Sequence, residues 1–406
     1  VHCRKVKLKS GTAWECFDDA PRDPVTGKRR QIKRRGKTMS EAKSRVESVL
    51  DSLRVDGIDE RISATTSFDK VANNWLEIYE AAGKKSGSIR VRTKEIKILN
   101  KYFAKMPISD ITHYIYQDML LNLDKDGNNG EPYAENTISG VNTCANMIFK
   151  YAKRNKLIKD NPREDAVVPK KPITVEDLES NSIEETYFES DELILFLDAV
   201  MKIGLELDRE WFYTLAFSGV RSGELLALKK SDLDSEENTI RVSKTMSNPD
   251  NNMRKYKLET TKTNKVRIIN IEKLIMEMLK KLVHKNDVHK MKYRNQTEDF
   301  HDADFVFQRP NGYPFATKNV GDRMKRIMKY VNIGKHLTPH SFRHTHISML
   351  TEAGVDLPTI MERVGHEDPD TTLKVYTHVT EKMKIKSVDS VTEHHADLLK
   401  KTMLET

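Results

Sequence analysis

The sequence predicts a multidomain α+β protein. It comprises a small three-stranded sheet with one helix, a helical bundle, and a mixed, mainly α domain with a small antiparallel sheet. Three observations lead there. At 406 residues the chain suits two or three cores better than one. Alternating patterns cluster near the start and again between residues 239 and 271, with helical periodicity elsewhere. Two turn-rich stretches, Gly57 to Thr66 and residues 156–175 with Pro162, Pro169 and Pro172, read as linkers. The expected parts are therefore 1–56, 67–160, 176–385 and a tail, 386–406.

In the first part, alternation at Trp14, Cys16 and Asp18 predicts a short strand, and Pro21 to Gly27 supplies turn chemistry. Lys28 to Arg35 resumes as a very basic strand. Ser40 is the expected cap of a helix that carries Ala42, Val46, Val49 and Leu53 at helical spacing. Packing that helix on the sheet would leave Lys28, Arg29, Arg30, Lys33, Arg34 and Arg35 in solvent. Either they form a merely solvated face or they contact phosphates; charge concentrated on one strand favours the second.

The second part shows apolar stripes at Phe68, Val71, Trp75 and Tyr79, at Ile89, Ile96, Leu99 and Phe103, over about 110–121, and from Ile138 to Ala152. None of these helices is long enough to be stable alone, so the stripes must face one another in a bundle. Its aromatics read as core. The loop from Asp124 to Gly130 offers Asp124, Asp126, Asn128 and Glu135 at calcium-loop positions. However, Asn129 stands where the sharp turn needs glycine, so a helix–helix loop is expected.

In the third part, helices are expected around 190–203, 208–218 and 222–228. Strands follow at Thr239–Thr245, Tyr256–Thr260 and Val266–Ile271, then helices at 272–284, 317–331, 341–353 and 357–363. The order of helices, small sheet, helices argues against a Rossmann or barrel layout.

Composition narrows the partners. Residues 1–50 hold 14 of the 69 Lys+Arg and 6 of the 61 Asp+Glu, a local excess of +8 that equals the excess of the whole chain. Positive charge confined to one small segment suits an anionic partner. No window approaches eighteen apolar residues, and the start has no apolar run behind its basic residues. An intracellular, soluble protein is expected. Three cysteines make no disulfide framework; Cys3 and Cys16 could meet on neighbouring strands, but reduced thiols are expected.

Taken singly, the chemical candidates are weak. Arg221 in Ser218-Gly219-Val220-Arg221 has an ordinary reading as a partner for Glu224, and Lys262 as a surface lysine on a hairpin turn between strands. His340 and Arg343, three apart, share a helix face. His366 follows Gly365, and Tyr376 comes ten residues later. Their order changes the reading. The segments SGVRSGELLALKKSDLD, ETTKTNKVRII and LTPHSFRHTHISMLTEAGVDLPTIMERVGHEDPDTTLKVYTH resemble the tyrosine recombinases, the lambda-type integrase family. The six catalytic places fall on Arg221, Lys262, His340, Arg343, His366 and Tyr376. The first two parts look similar to the arm-site and core-site binding domains of phage and conjugative-transposon integrases.

The resemblance implies roles that the chemistry supports. Tyr376 is the nucleophile and forms a 3′-phosphotyrosyl bond, which conserves bond energy for religation without ATP. Arg221 and Arg343 present planar forks to the scissile phosphate. Lys262 is the general acid, His340 takes or relays the tyrosine proton, and His366 hydrogen-bonds a nonbridging oxygen. His340, His344 and His346 crowd one segment. They lack a catalytic Glu between them, and Cys144 belongs to another part, so no metal or other cofactor is expected. One tyrosine per chain cuts one strand, and exchanging two duplexes needs four cuts. The expected assembly is a homotetramer on two double-stranded DNA attachment sites, of core and arm type. It would pass through a four-way junction in a bacterial host's cytoplasm and nucleoid. An excision factor and a host DNA-bending protein would be its partners, with no membrane. Val388, Val391, Leu398, Leu399 and Leu404 in the tail would pack on a neighbouring protomer. The alternatives are a type IB topoisomerase, which would act as a monomer without an arm-binding module, a chromosome-dimer resolvase, which normally lacks the first module, and a purely architectural DNA-binding protein, which would need none of the catalytic residues.

Overall fold

The computed structural model describes residues 1–8, 11–21, 30–51, 53, 60–125, 127, 130–172, 174–175, 183–248, 250–366, 369–370, 372–385 and 388. The chain divides into two compact units, Val1–Pro172 and Ile173–Thr406.

The first unit begins with strands β1 (His2–Leu8), β2 (Gly11–Ala20) and β3 (Arg30–Gly36), joined in sequence order into an antiparallel sheet. Helix α1 (Met39–Asp51) lays Ala42, Val46, Val49 and Leu50 on Cys16, Ala20 and Ile32. Its cap is Thr38, not Ser40: the Thr38 hydroxyl accepts the Glu41 N–H, and the Glu41 carboxylate accepts the Lys37 N–H. The cysteines are also a correction. Register sets Cys3 opposite Cys16 with Cα atoms 4.0 Å apart, and a disulfide joins them where reduced thiols are expected.

Within the gap read as a linker, residues Glu60–Thr65 form a short helix, α2. Four helices follow, α3 (Phe68–Ala81), α4 (Ser86–Phe103), α5 (His113–Lys125) and α6 (Glu135–Arg154). Their stripes meet as expected in a core built on Phe68, Phe103, Tyr116 and Phe149. Tyr116 donates its buried hydroxyl to Asn142 Oδ1 at 2.8 Å. Cys144 is buried in the same core, and burial pushes its thiol up to about 12. Of the loop weighed for calcium, Asp126, Asn128 and Asn129 lie outside the described residues.

The second unit opens with α7 (Ser190–Ile203), α8 (Asp208–Ser218) and α9 (Ser222–Leu226). Strand β4 (Leu233–Asp234) pairs with β5 (Thr239–Val242), and β5 pairs with β8 (Arg267–Asn270); β6 (Lys244–Ser247) pairs only with β7 (Lys257–Thr260). The strand expected over 239–245 is thus two strands in two sheets. The segment holding Lys262 is no hairpin either: β7 and β8 belong to different sheets, and the turn crosses between them. Helix α10 (Lys273–Tyr293) runs well past its expected end, and α11 (Thr317–Met328), α12 (Ser341–Glu352) and α13 (Leu357–Val364) complete the core. Residues 372–385 are helical. The expected tail over 386–406 lies outside the described residues except for Val388. Among the described residues, no helix is long and apolar enough to cross a membrane.

Candidate active site

The site is assembled from four segments of the second unit. Helix α8 stops at Gly219, whose φ of 64° is left-handed and whose missing side chain matters, because a Cβ there would lie 2.7 Å from His346 Cδ2. The chain then turns through buried Val220 to Arg221 and starts α9. Glu224, three residues on, accepts the Arg221 backbone N–H at 3.0 Å and Arg221 Nη1 at 2.8 Å. From strand β8, Arg267 donates Nη2 to the same carboxylate at 2.7 Å and Nε to the Arg363 carbonyl at 3.0 Å. Burial alone would raise the Glu224 carboxyl, but Arg267 and then Arg221 outweigh it and hold it at about 2. The carboxylate thereby fixes Arg221 with its second terminal nitrogen beside the Gly365 carbonyl, 3.5 Å away.

Arg343 projects from the first turn of α12 and is fully buried. It donates Nη1 to the Gly219 carbonyl at 3.0 Å and Nε to His366 Nε2 at 3.1 Å. Its Nη2 is buried with no hydrogen-bond partner among the described residues. Burial, then the Arg221 charge, presses the guanidinium pKa downward. A buried cation with an idle donor is costly in a protein interior, and an anion beside it would satisfy that donor.

Helix α13 ends at Gly365 in the left-handed region (φ 67°), which swings His366 back toward Arg343. A guanidinium only donates, so His366 Nε2 must accept and the ring proton sits on Nδ1. That nitrogen donates to Thr372 Oγ1 at 2.6 Å. Burial and then Arg343, Arg221, His340 and His344 pull the ring down to about 3, so it is neutral.

His340 lies at the start of α12, edge-on to His344 with ring centroids 4.9 Å apart. His340 is exposed as a residue. The packed surroundings of its ring, then His344, Arg343, Arg221 and Lys262, pull it down to about 4. Lys262 itself is exposed on its turn and makes no hydrogen bond or ion pair among the described residues. Tyr376 lies half-buried on the helix over 372–385, at the edge of the apolar cluster that Tyr187, Ile347, Ile360 and Val364 form with Val375 and Val379. Its hydroxyl bonds to no described residue. Direct contacts therefore join Arg343 to His366 and bring Arg221 to the adjacent Gly365. His340 and Lys262 are linked to them through charge, and Tyr376 stands apart on the following helix.

The three crowded histidines do not converge. His346 is used up internally: its Nδ1 donates to the Ala216 carbonyl at 3.0 Å and its Nε2 accepts Arg363 Nε at 2.9 Å. A cleft of about 740 Å³ of mixed polar and apolar lining opens beside His366, between Lys265, Arg267, Asn270 and Arg363 on one hand and Ile268 and Met361 on the other.

The basic strand of the first unit is divided by its own pleat. Lys33 and Arg35 share the face away from α1 with Phe17 and Glu15. Glu15 accepts both Arg4 Nη2 at 2.7 Å and Arg35 Nε at 2.9 Å. Arg34 opposes Cys16 on the other face, so the expected single basic face is two. Arg30 lies on the strand, while Lys28 and Arg29 lie outside the described residues.

Sequence reasoning missed Arg267, Thr372 and the structural use of Gly219. Only Glu224 had a local signal, its i,i+3 spacing from Arg221.

Comparison with known proteins agrees with this architecture. Residues 187–383 match the phage integrase family. The integrase of Staphylococcus phage L54a is 30% identical over 335 residues, spanning 79% of this chain and 90% of its own. A probable integrase of prophage ps2 in Lactococcus lactis subsp. lactis is 28% identical and spans 91% of this chain and 94% of its own. Among solved structures, the Tn1549 transposon integrase in complex with transposon right end DNA superposes with a TM-score of 0.61 at 20% identity, covering 80% of this chain and all of that one (100%). A lambda integrase tetramer bound to a Holliday junction gives 0.54 at 15% identity, covering 90% and 96%. The chain belongs to the phage integrase family of tyrosine recombinases.

Proposed function

We propose that this recombinase integrates and excises a phage or integrative conjugative element. It would cut and rejoin double-stranded DNA through a 3′-phosphotyrosyl intermediate and a Holliday junction. The observation that carries this reading is the buried, idle Nη2 of Arg343, next to an Arg221 held in place by Glu224. Two guanidiniums supplied by separate segments make a seat for one phosphate, and forks suit its nonbridging oxygens as ammonium groups do not.

The remaining roles follow from position. Tyr376 attacks phosphorus, and neutral His340 takes its proton. Lys262, exposed on a turn between two sheets, swings in to protonate the departing 5′-oxygen. His366 gives a hydrogen bond to a nonbridging oxygen once Arg343 has turned to the phosphate. Since the phosphotyrosyl bond stores the energy of the bond that was cut, religation requires no nucleotide. Each protomer cuts one strand, so four act on two sites; the junction-bound lambda integrase tetramer supports that assembly here. The helical bundle reads core DNA. On the small sheet, Lys33 and Arg35, flanked by Arg4, contact the phosphates of arm DNA, with Arg30 and Arg34 at its edges and Lys28 and Arg29 continuing the segment. An excision factor and a host DNA-bending protein complete the assembly in the bacterial nucleoid.

A nicked duplex that carries the core site, and loses the cut fragment, tests the reading. The wild-type chain should give a covalent protein–DNA band on a denaturing gel, and Tyr376→Phe should give none. An adduct that survives in Tyr376→Phe would overturn the nucleophile assignment.

A further inference from the structure

Thr372 has no part in the mechanism above, yet it is completely buried and holds the one ring nitrogen of His366 that Arg343 leaves free. Without DNA, the His366 ring is committed as an acceptor at Nε2, the wrong sense for bonding a phosphate oxygen. To serve the reaction it must present N–H at Nε2 and a lone pair at Nδ1. Whatever faces Nδ1 must then accept in one state and donate in the other. A hydroxyl does both from a single position by rotating its hydrogen; a carboxylate or carbonyl only accepts, and a methyl does neither.

We propose that Thr372 is a positioning residue whose hydroxyl lets His366 change from acceptor of Arg343 to donor toward the scissile phosphate. The inference rests on the phosphate-binding reading of the site. When DNA enters, Arg343 Nε leaves His366 for a phosphate oxygen. One proton is lost from Nδ1 to water and one is gained from water at Nε2, so the ring stays neutral. The Thr372 hydroxyl then turns from accepting to donating. Thr372 also sits one helical turn before Tyr376, on the same side of the helix over 372–385. The bond that receives the Nδ1 proton therefore also ties the nucleophile's helix to the phosphate site. Val375 and Val379 anchor that helix in the apolar cluster. The polar bond to His366 and this apolar packing set its position together.

The test compares wild type, Thr372→Ser and Thr372→Val as full-length chains. The first readout is the ring ¹⁵N spectrum of histidine-labelled, DNA-free protein, with His366 assigned through His366→Gln. Wild type and Thr372→Ser should show His366 protonated at Nδ1; in Thr372→Val, where Arg343 still holds Nε2 as the acceptor, the Nδ1 resonance should shift because its proton has lost its hydrogen-bond acceptor. The second readout is the rate of covalent adduct formation on the nicked duplex, measured beside DNA affinity. Thr372→Val should slow adduct formation by about 10- to 100-fold, the range found for outer partners that hold a metal-binding imidazole in its working tautomer. Its DNA affinity should stay within about twofold, and the Thr372→Ser rate within about threefold of wild type, because the hydroxyl is retained. Equal rates in wild type and Thr372→Val, or equal losses in Thr372→Ser and Thr372→Val, would overturn the proposal. A wild-type His366 protonated at Nε2 without DNA would do the same. Should wild type form no adduct at all, the phosphotyrosyl reading fails, and the spectra still decide the link between Thr372 and His366.

Discussion

Replacing Glu224 with glutamine keeps the shape of the side chain and removes its charge, which isolates what the carboxylate does. In the native protein it is buried and shared by Arg221 and Arg267, with side chains 21% and 8% exposed. Its pKa is held at about 2 against an ordinary 4.5. At about 1.4 kcal/mol per tenfold, that difference corresponds to about 3 kcal/mol of native-state stability at neutral pH. The cost of breaking a buried ion pair by removing one partner, about 3–5 kcal/mol, leads to the same magnitude.

The sign follows from the direction of the shift. A carboxyl depressed in the folded state stabilises fully above its unfolded pKa and loses that contribution as pH falls toward the folded one. The gap between wild type and Glu224→Gln should therefore narrow by about 2 kcal/mol between about pH 7 and about pH 3. His340, His346 and His366, all pulled down to between about 3 and about 4, also cost stability below the ordinary 6.5. They do so in both proteins and cancel in the difference. The chain supplies its own probe, because Trp14, Trp75 and Trp211 stand one in each part. In a Trp14→Phe, Trp75→Phe background, fluorescence from buried Trp211 follows the catalytic unit alone. Its unfolding midpoint should drop by roughly 6–12 °C in Glu224→Gln, at about 2–4 °C per kcal/mol for a unit of this size. A drop under about 2 °C, or a gap that does not narrow in acid, would refute the claim that the carboxylate is the counter-charge of this site.

Three further outcomes can be checked directly. Arg343→Lys keeps a charge but loses the fork, so its adduct rate should fall about a hundred- to a thousandfold while DNA binding weakens far less, as gel shifts and single-turnover kinetics would measure. Gly219→Ala imposes a side chain on a left-handed residue and drives its Cβ to 2.7 Å from the His346 ring; Trp211 unfolding should report a loss of at least about 2 kcal/mol. Thiol titration of denatured protein prepared without reductant should find one cysteine, Cys144, and reduction should cost the small sheet about 3 kcal/mol through its Trp14 signal.

Much of the fold is legible because local pattern and burial coincide. The stripes of the bundle are read from sequence because Ile138, Val141, Ala145, Ile148 and Ala152 recur at helical spacing, and all are fully buried. Strand pairing is where reading fails. Nothing near residue 243 says that Thr239–Val242 and Lys244–Ser247 enter different sheets, because partner choice depends on Arg267–Asn270 and Lys257–Thr260, far along the chain. The disulfide escapes for a related reason: two cysteines thirteen residues apart carry no signal until the register places them opposite each other.

The site divides along the same line. Arg221, Arg343 and His366 can be named from their motifs, and the structure brings their segments together. Of the groups that hold them, Glu224 is announced by its i,i+3 spacing from Arg221, whereas Arg267 and Thr372 lie on other segments and act only by meeting the site. Arg267 looks like one more basic residue of an exposed strand, yet it reaches the buried carboxylate of α9 and the Arg363 carbonyl of α13 at once. The motifs thus mark the groups proposed to meet substrate, while the groups that hold them are chosen by packing. A substitution at Arg267 or Thr372 should therefore alter the reaction while leaving every motif residue in place.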